Sequence, residues 1–279
     1  MNKYKSVGLV ALLSLVFVFG ANKTYAWGKN GHRIVGKIAE NHMTETTIRA
    51  IETLLDGDRI SEVGTWADEM RSNPSEFWQK ESPRWHYVNL NKISDFHPEH
   101  YSRSNKISDA YEAIRHGIDV LKDSSSSIDD KKFHLRFLMH LVGDIHQPLH
   151  VGRSEDRGGN AIKVKFFWKE TNLHTIWDTK LIEQEQLSYS EFVDYIDTND
   201  KSTIEKYLDT RPADWVKASF HHAQDIYNVG NGDFSYNYVY KSKPLLNESL
   251  LQAGIRLAGL LNEIFDPKAI PGKSALKQI

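Results

Sequence analysis

The sequence predicts an all-α fold, in which a single mostly helical domain carries a small β-hairpin. In most of the chain apolar residues recur every three or four positions, which is the spacing of one buried helix face. Six segments show this pattern: residues 34–39, 48–55, 107–121, 133–145, 215–227 and 250–265. Residues 162–166 instead alternate apolar and charged side chains, which is typical of a strand with one buried face. No internal repeat and no change in composition divides residues 27–266, so one domain is expected.

Glycines and prolines set the expected limits of these elements. The second helix should end near Gly57, and Pro212 suits the first turn of the fifth, where an N–H has no helical partner. Gly158 and Gly159 predict a turn before the alternating segment, which would then form one half of a hairpin. The four serines at 124–127 predict a short solvated loop.

The composition is that of a globular protein and narrows the chemistry available to it. Of the 279 residues, 40% are hydrophobic and 26% are charged, and the formal net charge of −2 gives no basic excess for nucleic acid or membranes. The chain has thirteen histidines and no cysteine. Disulfides, thiolate nucleophiles and cysteine-type zinc fingers are therefore excluded. Any bound metal would need imidazole and carboxylate ligands.

Residues 1–26 have the features of a secretory signal peptide. Two lysines precede an apolar run over residues 7–21, and small or polar residues end the segment at Ala26. The run is shorter than the roughly 20 residues of a spanning helix. Cleavage would remove three lysines, take the net charge from −2 to −5 and make Trp27 the N-terminus. We expect a secreted or periplasmic protein with no membrane anchor after cleavage.

Two pairs of histidine and aspartate share a spacing of four residues. His140 and Asp144 would lie on one face of a helix, a proline then ends that helix, and His150 follows. His174 and Asp178 repeat the spacing. Either pair alone could be an ordinary surface hydrogen bond or ion pair. Both lie among apolar residues, however, and a buried carboxylate needs a partner, which a cation of the zinc type would provide.

Three further segments carry groups that suit the same chemistry. Asp68 lies in a short predicted helix with Arg71 on nearly the same face, and His86 lies in an aromatic stretch that we expect to be extended. His32 follows five residues after the amine that cleavage would create at Trp27. Because such an amine has a pKa of about 7.7 to 8.0, a metal displaces its proton easily. Taken singly, His32 is better explained as a structural histidine and Asp68 as a surface acid.

In chain order these motifs resemble the family of zinc-dependent, single-strand-specific nucleases, whose fold is that of bacterial zinc phospholipase C. The resemblance covers the whole chain after the signal segment. It rests on six motifs: Trp27-Gly-x-x-Gly-His32, Trp66-Ala-Asp68, Trp85-His86-Tyr87, His140-x-x-x-Asp144-Ile-His-Gln-Pro-Leu-His150, Gly158-Gly-Asn160 and Asn172-Leu-His174-x-x-Trp-Asp178. The resemblance implies a domain of this type over residues 27–266, followed by a C-terminal tail at 267–279.

The resemblance also implies three Zn²⁺ ions as cofactors. Their ligands would be nitrogen and oxygen atoms of nine residues: Asp68, His86, His140 and Asp144 for the first ion, His150, His174 and Asp178 for the second, and the amine and carbonyl of Trp27, His32 and the bridging Asp144 for the third. The implied catalytic residues are Asp68, Arg71 and Asp144.

Four residues match substrate-binding positions of that family. Arg71 corresponds to an arginine that contacts phosphate, Tyr87 to an aromatic that stacks on a base, and Asn160 to an amide that reads a base edge. Asn89 occupies a position that is aspartate in some fungal members, so their base preference does not transfer. The disulfides of the fungal proteins are missing here.

The function implied is a secreted endonuclease that hydrolyses single-stranded DNA and RNA to 5′-phosphate products. Activity as a 3′-nucleotidase is also expected, with single-stranded nucleic acid and 3′-nucleotides as substrates and a monomer as the working form. Two alternatives remain open from the sequence. One is a zinc phospholipase C of the same fold, and the other is an exported zinc-binding protein without catalytic activity.

Overall fold

Helices dominate the computed structural model, which describes residues 27–100 and 107–268. The predicted signal peptide and residues 269–279 of the predicted tail lie outside these residues. The α-helices are α1 (Lys29–His42), α2 (Glu45–Leu54), α3 (Ile60–Val63), α4 (Trp66–Glu69), α5 (Ala110–Lys122), α6 (Ile128–Asp144), α7 (Leu173–Thr175), α8 (Leu181–Gln184), α9 (Tyr189–Ile196), α10 (Lys201–Leu208), α11 (Pro212–Ile226) and α12 (Tyr236–Phe265). The predicted all-α class is confirmed.

Shorter helical segments connect them and carry several of the predicted site residues. The 3₁₀ segments are Met70–Ser72, Ser82–His86, Ile93–Asp95, Pro98–His100 and Pro148–Val151, and the π-helical segments are Phe77–Glu81 and Ile176–Lys180.

Side-chain caps explain where three of the main helices begin. The side chains of Thr44, Asp109 and Ser127 accept hydrogen bonds from backbone N–H groups of the first turns of α2, α5 and α6. Such a cap satisfies a donor that has no partner within the helix. The helix expected from residue 107 therefore begins at Ala110, immediately after its cap.

Helix α6 passes through the centre of the domain. All its residues from 137 to 144 are buried, and it packs against α1, α3, α4, α5 and α12. Helix α12 also lies close against α1, where Gly254 makes the approach possible because a Cβ there would overlap the side chain of Ile38. The predicted His140–Asp144 pair is consequently inside the core, where polar groups require partners.

A three-stranded sheet lies beside the helices, in the order β2-β1-β3. Strands β1 (Lys163–Phe166) and β2 (Lys169–Asn172) form an antiparallel pair, which confirms the predicted hairpin. The third strand, β3 (Asp233–Phe234), pairs in parallel with β1 and was not predicted, because two residues show no periodicity. Among the residues described, no helix combines the length and the apolar character needed to cross a bilayer.

Candidate metal centre

The C-terminal end of α6 provides the first buried histidine–aspartate pair. His140 and Asp144 are fully buried, and His140 Nε2 lies 3.1 Å from Asp144 Oδ2. His140 Nδ1 lies 2.6 Å from the carbonyl oxygen of Gly64, to which it donates. This hydrogen bond sets the orientation of the ring, so that Nε2 faces the carboxylate and is the atom that would bind a metal.

Two residues from other segments complete a group around this pair. Asp68 on α4, His86 and His140 form a buried cluster, and Asp144 Oδ2 lies 3.0 Å from His86 Nδ1. The expectation that His86 lies in extended chain is wrong, since it ends the 3₁₀ segment Ser82–His86. Pro83 lies in the first turn of that segment and fixes a backbone angle suited to a helical turn.

A second group forms where α1 meets α6 and shares its residues with the first. His32 stacks on the ring of His140 with a centroid distance of 3.9 Å, and its Nε2 lies 3.4 Å from Asp144 Oδ1. Gly143 makes this contact possible, because a Cβ there would lie 2.9 Å from His32 Nδ1. The side chain of Trp27, which is fully buried, lies against the same glycine.

The third group joins the turn after α6 to the segment after the hairpin. His174 Nε2 lies 3.0 Å from Asp178 Oδ2, and His150 Nε2 lies 3.8 Å from Asp178 Oδ1. The Nδ1 atoms of the two histidines donate to the carbonyl oxygens of His86 and Gly158, which again turns Nε2 toward a carboxylate, here that of Asp178. Gly158 has a φ of +60°, and a Cβ there would collide with the carbonyl of Leu149.

Each of the three groups could hold a metal ion. In every group the ligand atoms lie within 4.8 Å of one another, and every residue is buried. All the donors are imidazole nitrogens and carboxylate oxygens, a set that divalent cations of the zinc type accept. Eight of the nine residues expected as ligands lie in these groups, and His140 belongs to two of them.

Burial and mutual charge shift the pKa values of these ligands in opposite directions. Burial alone would raise the pKa of the Asp144 carboxyl, but the imidazoles of His140 and His150 hold it well below its usual range. Burial alone would lower the pKa of His140, but Asp144 raises it to about 9. Burial raises the pKa of Asp178 to about 6 and lowers that of His150 to about 3. The centre thus favours positive charge beside Asp144, which a divalent cation would also supply.

Gln147 is a residue at this centre that the sequence did not single out. Its side chain is fully buried, its amide Nε2–H donates to Asp178 Oδ1, and its Oε1 accepts from the N–H of Leu149. It therefore orients the Asp178 carboxylate from the turn that also carries His150. The sequence did place Gln147 between two expected ligands, Asp144 and His150. Its hydrogen-bond partner Asp178 lies 31 residues away, however, so the contact itself could not be predicted.

The predicted substrate-binding residues lie around these groups. Arg71 is part of the 3₁₀ segment Met70–Ser72, and its Nη1 lies 3.4 Å from Asp68 Oδ1. Residues 87–90 run beside residues 150–152, with backbone hydrogen bonds from Val88 N to His150 O and from Leu90 N to Gly152 O. Val88 and Leu90 are buried, so Tyr87 and Asn89 point to the opposite side.

Asn160 is half-buried in the loop before the hairpin. Its Nδ2 donates to the carbonyl oxygen of Arg157 at 2.8 Å, while its Oδ1 is buried and has no hydrogen-bond partner within the described part of the chain. A buried acceptor without a partner is uncommon and is consistent with a ligand group that would donate to it.

Comparison with known proteins places the chain in a family. The model of the S1/P1 nuclease family matches residues 27–266. The chain belongs to the S1/P1 nuclease family. Endonuclease 4 of Arabidopsis thaliana is 31% identical over 88% of this chain and 92% of its own length. Endonuclease 2 of the same plant is 29% identical over 95% of this chain and its full length. Nuclease S1 of Aspergillus oryzae is 29% identical over 88% of this chain and 93% of its own length.

Membership of the S1/P1 nuclease family favours one of the alternatives that the sequence left open. It supports a nuclease, which is a hydrolase of phosphodiester bonds. The phospholipase C and the non-catalytic zinc-binding protein have no such support.

Proposed function

We propose that this chain is a zinc-dependent endonuclease that hydrolyses single-stranded DNA and RNA to 5′-phosphate products, and that it also removes phosphate from 3′-nucleotides. The observation that carries the proposal is the cluster of three buried histidine–aspartate groups, two of which share His140. A nuclease needs concentrated positive charge at the scissile phosphate, and a metal cluster would provide it in a chain whose net charge is −2.

The residues present fit three zinc ions. The chain offers no thiol, and the histidine Nε2 atoms of two groups are turned toward carboxylates by hydrogen bonds at Nδ1. His32 has no hydrogen-bond partner for either ring nitrogen in the described residues, and neither has Asp144 Oδ1. The ligand sets would be those of the family: Asp68, His86, His140 and Asp144; His150, His174 and Asp178; and Trp27, His32 and Asp144.

Bound zinc would supply Lewis-acid stabilisation of the phosphate and lower the pKa of water. The side chains of the protein position the substrate around it. Arg71, oriented by its contact with Asp68, would donate to a non-bridging phosphate oxygen and stabilise the charge that develops there. Catalysis would therefore depend on Asp68 both as a ligand and as the partner of Arg71.

Selection of single strands would follow from the groups beside the centre. Tyr87 and Asn89 lie on one side of an extended segment, and a base must be unpaired to stack on Tyr87. Asn160 Oδ1 would accept a hydrogen bond from a base N–H. These contacts read one or two bases, so sequence specificity should be low.

The location and form of the enzyme follow from the segments around this domain. Cleavage of the signal peptide after residue 26 would release residues 27–266 with the tail at 267–279 to the periplasm or the outside of the cell. The N-terminal amine that this creates would then be available at Trp27. We expect the mature protein to act as a monomer.

The decisive experiment is an assay of the zinc-loaded mature chain on four substrates. We expect hydrolysis of single-stranded DNA, RNA and a 3′-nucleotide, and no release of phosphocholine from phosphatidylcholine. A chelator should abolish all activity. Zinc should restore the activity. Hydrolysis of the lipid alone would favour a phospholipase, and metal binding without any hydrolysis would leave only a zinc-binding protein.

Gln147→Glu should weaken zinc binding at the group formed by His150, His174 and Asp178. The change keeps the acceptor to Leu149 but replaces the amide donor by a carboxylate that faces Asp178. Loss of such an orienting contact typically costs about 10- to 100-fold in metal affinity. Zinc titration with a chromophoric chelator would measure it.

Gln252→Glu is the matched control for this variant. Gln252 donates to Glu248 at 2.9 Å on the surface of α12, so the substitution also sets one carboxylate against another. It should leave all three zinc affinities unchanged. Equal affinities in the two variants would show that Gln147 does not orient the ligand.

A further inference from the structure

Tyr227 is a buried residue that takes no part in the metal or substrate contacts described above. It follows α11 directly, and its side chain is 8% exposed. Burial raises the pKa of its hydroxyl, which therefore stays protonated and can both donate and accept a hydrogen bond. Its partners are Arg153 and Asp156, which lie 74 and 71 residues earlier in the chain.

Both partners belong to residues 152–160, which we call the glycine loop because three of its nine residues are glycine. The Tyr227 hydroxyl accepts from the N–H of Arg153 at 2.9 Å and donates to Asp156 Oδ1 at 3.2 Å. The same Oδ1 also accepts from the N–H of Gly159 at 2.6 Å. One hydroxyl and one carboxylate oxygen thus connect the start of the glycine loop to its end.

The glycine loop closes around the tyrosine hydroxyl. A Cβ on Gly152 would lie 2.5 Å from the hydroxyl oxygen and 2.8 Å from the Cα of Gly158, so glycine is what permits this approach. The guanidinium carbon of Arg153 lies 4.0 Å from the centroid of the Tyr227 ring, which adds a cation–π contact. The hydroxyl therefore occupies a fixed place within the loop.

The peptide between Gly158 and Gly159 links the glycine loop to the metal centre. Its carbonyl oxygen accepts from Nδ1 of His174 at 2.7 Å, and its N–H donates to Asp156. The two groups belong to one rigid plane. A rotation that takes the N–H away from Asp156 would therefore also turn the carbonyl away from His174.

This peptide lies between the two residues that are best able to rotate it. Gly158 and Gly159 have φ values of 60° and 82°, and glycine reaches other backbone conformations at little cost. In the part of the chain that the structure describes, the bonds to Asp156 and His174 are the two that hold the N–H and the carbonyl of the plane. Because Tyr227 donates to Asp156, it supports the bond on the loop side.

We propose that Tyr227 is a positioning residue, which orients His174 through the hydrogen bonds of the glycine loop. An imidazole nitrogen offers its lone pair in one direction, so a metal ligand loses affinity when its outer hydrogen bond is weakened. A fixed peptide keeps Nε2 of His174 directed toward the Asp178 carboxylate, 3.0 Å away. The inference rests on the proposed function, since it takes the group that contains His174 as a zinc site.

Tyr227→Phe tests this role and keeps the ring, so the fold should persist. The substitution removes the donor to Asp156 and leaves the peptide after Gly158 freer to rotate. We expect the zinc affinity of the site that contains His174 to fall about tenfold, as for other lost orienting contacts. The other two sites should keep their wild-type affinities. Titration of the full mature chain with zinc and a chromophoric chelator measures all three.

Two substitutions of Asp156 separate orientation from stability. Asp156→Asn keeps an oxygen acceptor for both donors, so the zinc affinity should stay within about threefold of the wild-type value. Asp156→Ala removes the acceptor and should reproduce the loss seen in Tyr227→Phe. The matched control is Tyr207→Phe on α10, which removes the hydroxyl of an equally buried tyrosine that interacts with Gln252. It should leave all three zinc affinities unchanged.

Hydrogen exchange of the zinc-free protein tests the loop without any metal. In Tyr227→Phe the amides of residues 153–160 should exchange at least about fivefold faster than in the wild-type protein. The amides of α6 should keep their wild-type rates. Mass spectrometry of the peptides that cover the two segments measures both.

Four results would overturn the proposal. They are unchanged zinc affinity in Tyr227→Phe, an equal loss at all three sites, full zinc affinity in Asp156→Ala, and a loss in Asp156→Asn as large as that in Asp156→Ala. If the wild-type protein binds zinc but hydrolyses no nucleic acid, the proposed function fails, while the titrations still decide the role of Tyr227. A wild-type protein that binds no zinc at the site with His174 would overturn both.

Discussion

If three metal ions bind as proposed, replacement of Asp144 by asparagine should remove two of them and abolish hydrolysis. Asp144 is fully buried, and its carboxylate oxygens lie 3.4 Å or less from ring nitrogens of His32, His86 and His140. Asparagine has the same shape but no negative charge, so both groups that use this carboxylate would lose their shared anionic ligand. We expect metal analysis to fall from three ions per chain to about one, and kcat on single-stranded DNA to fall more than about 10³-fold.

Asp197→Asn provides the control for this substitution. Asp197 forms a half-buried contact with His42 at 2.7 Å, which is the same chemistry outside the three groups. The control should keep three metals and full activity. An Asp144→Asn protein that kept its full metal content and its activity would contradict the assignment of Asp144 as the bridging ligand.

Local spacing is what made much of the centre predictable. His140 with Asp144 and His174 with Asp178 are separated by one helical turn, and the structure places each pair about 3 Å apart. The contact between Arg71 and Asp68 follows in the same way from a separation of three residues. Apolar neighbours on the same helices indicated burial. Such pairs form wherever a helix has one buried face, and the spacing of apolar residues along the sequence predicts both the helix and that face.

Contacts between distant segments were beyond this reasoning. The side chain of Gln147 donates to Asp178, which lies 31 residues later in the chain. Strand β3 has only two residues, and it is recognisable as a strand only because it pairs with β1, about 70 residues earlier. The turn of the hairpin could not be predicted either. Phe167 and Trp168 adopt positive φ angles there, but neither is a glycine, asparagine or aspartate, the residue types that indicate such a turn. The stacking of His32 on His140 depends on how α1 crosses α6, which no local pattern specifies.

A chain that keeps even one residue before Trp27 should lose one zinc ion. Trp27 is fully buried, and its side chain lies with His32 against Gly143, next to Asp144. The N–H of Gly28 donates to the carbonyl oxygen of Asp178 at 2.7 Å, which ties the chain next to Trp27 to the segment that carries a proposed ligand. If the amine of Trp27 is a ligand, an added alanine converts it to an amide, whose nitrogen lone pair is delocalised into the carbonyl and therefore binds metals poorly. We therefore expect two zinc ions per chain instead of three, and a loss in kcat of at least about 10²-fold.

The same alanine added after Ile279 is the matched control, since it changes the length and composition equally but leaves the amine free. That protein should bind three zinc ions and keep full activity. Metal analysis and single-stranded DNA hydrolysis would be measured on both extended chains and on the chain that begins at Trp27. The amine exists only after cleavage. Cleavage during export would then complete the metal centre, and the uncleaved precursor would stay inactive inside the cell. Three ions and full activity in the N-terminally extended chain would refute both the ligand and this link between processing and activity.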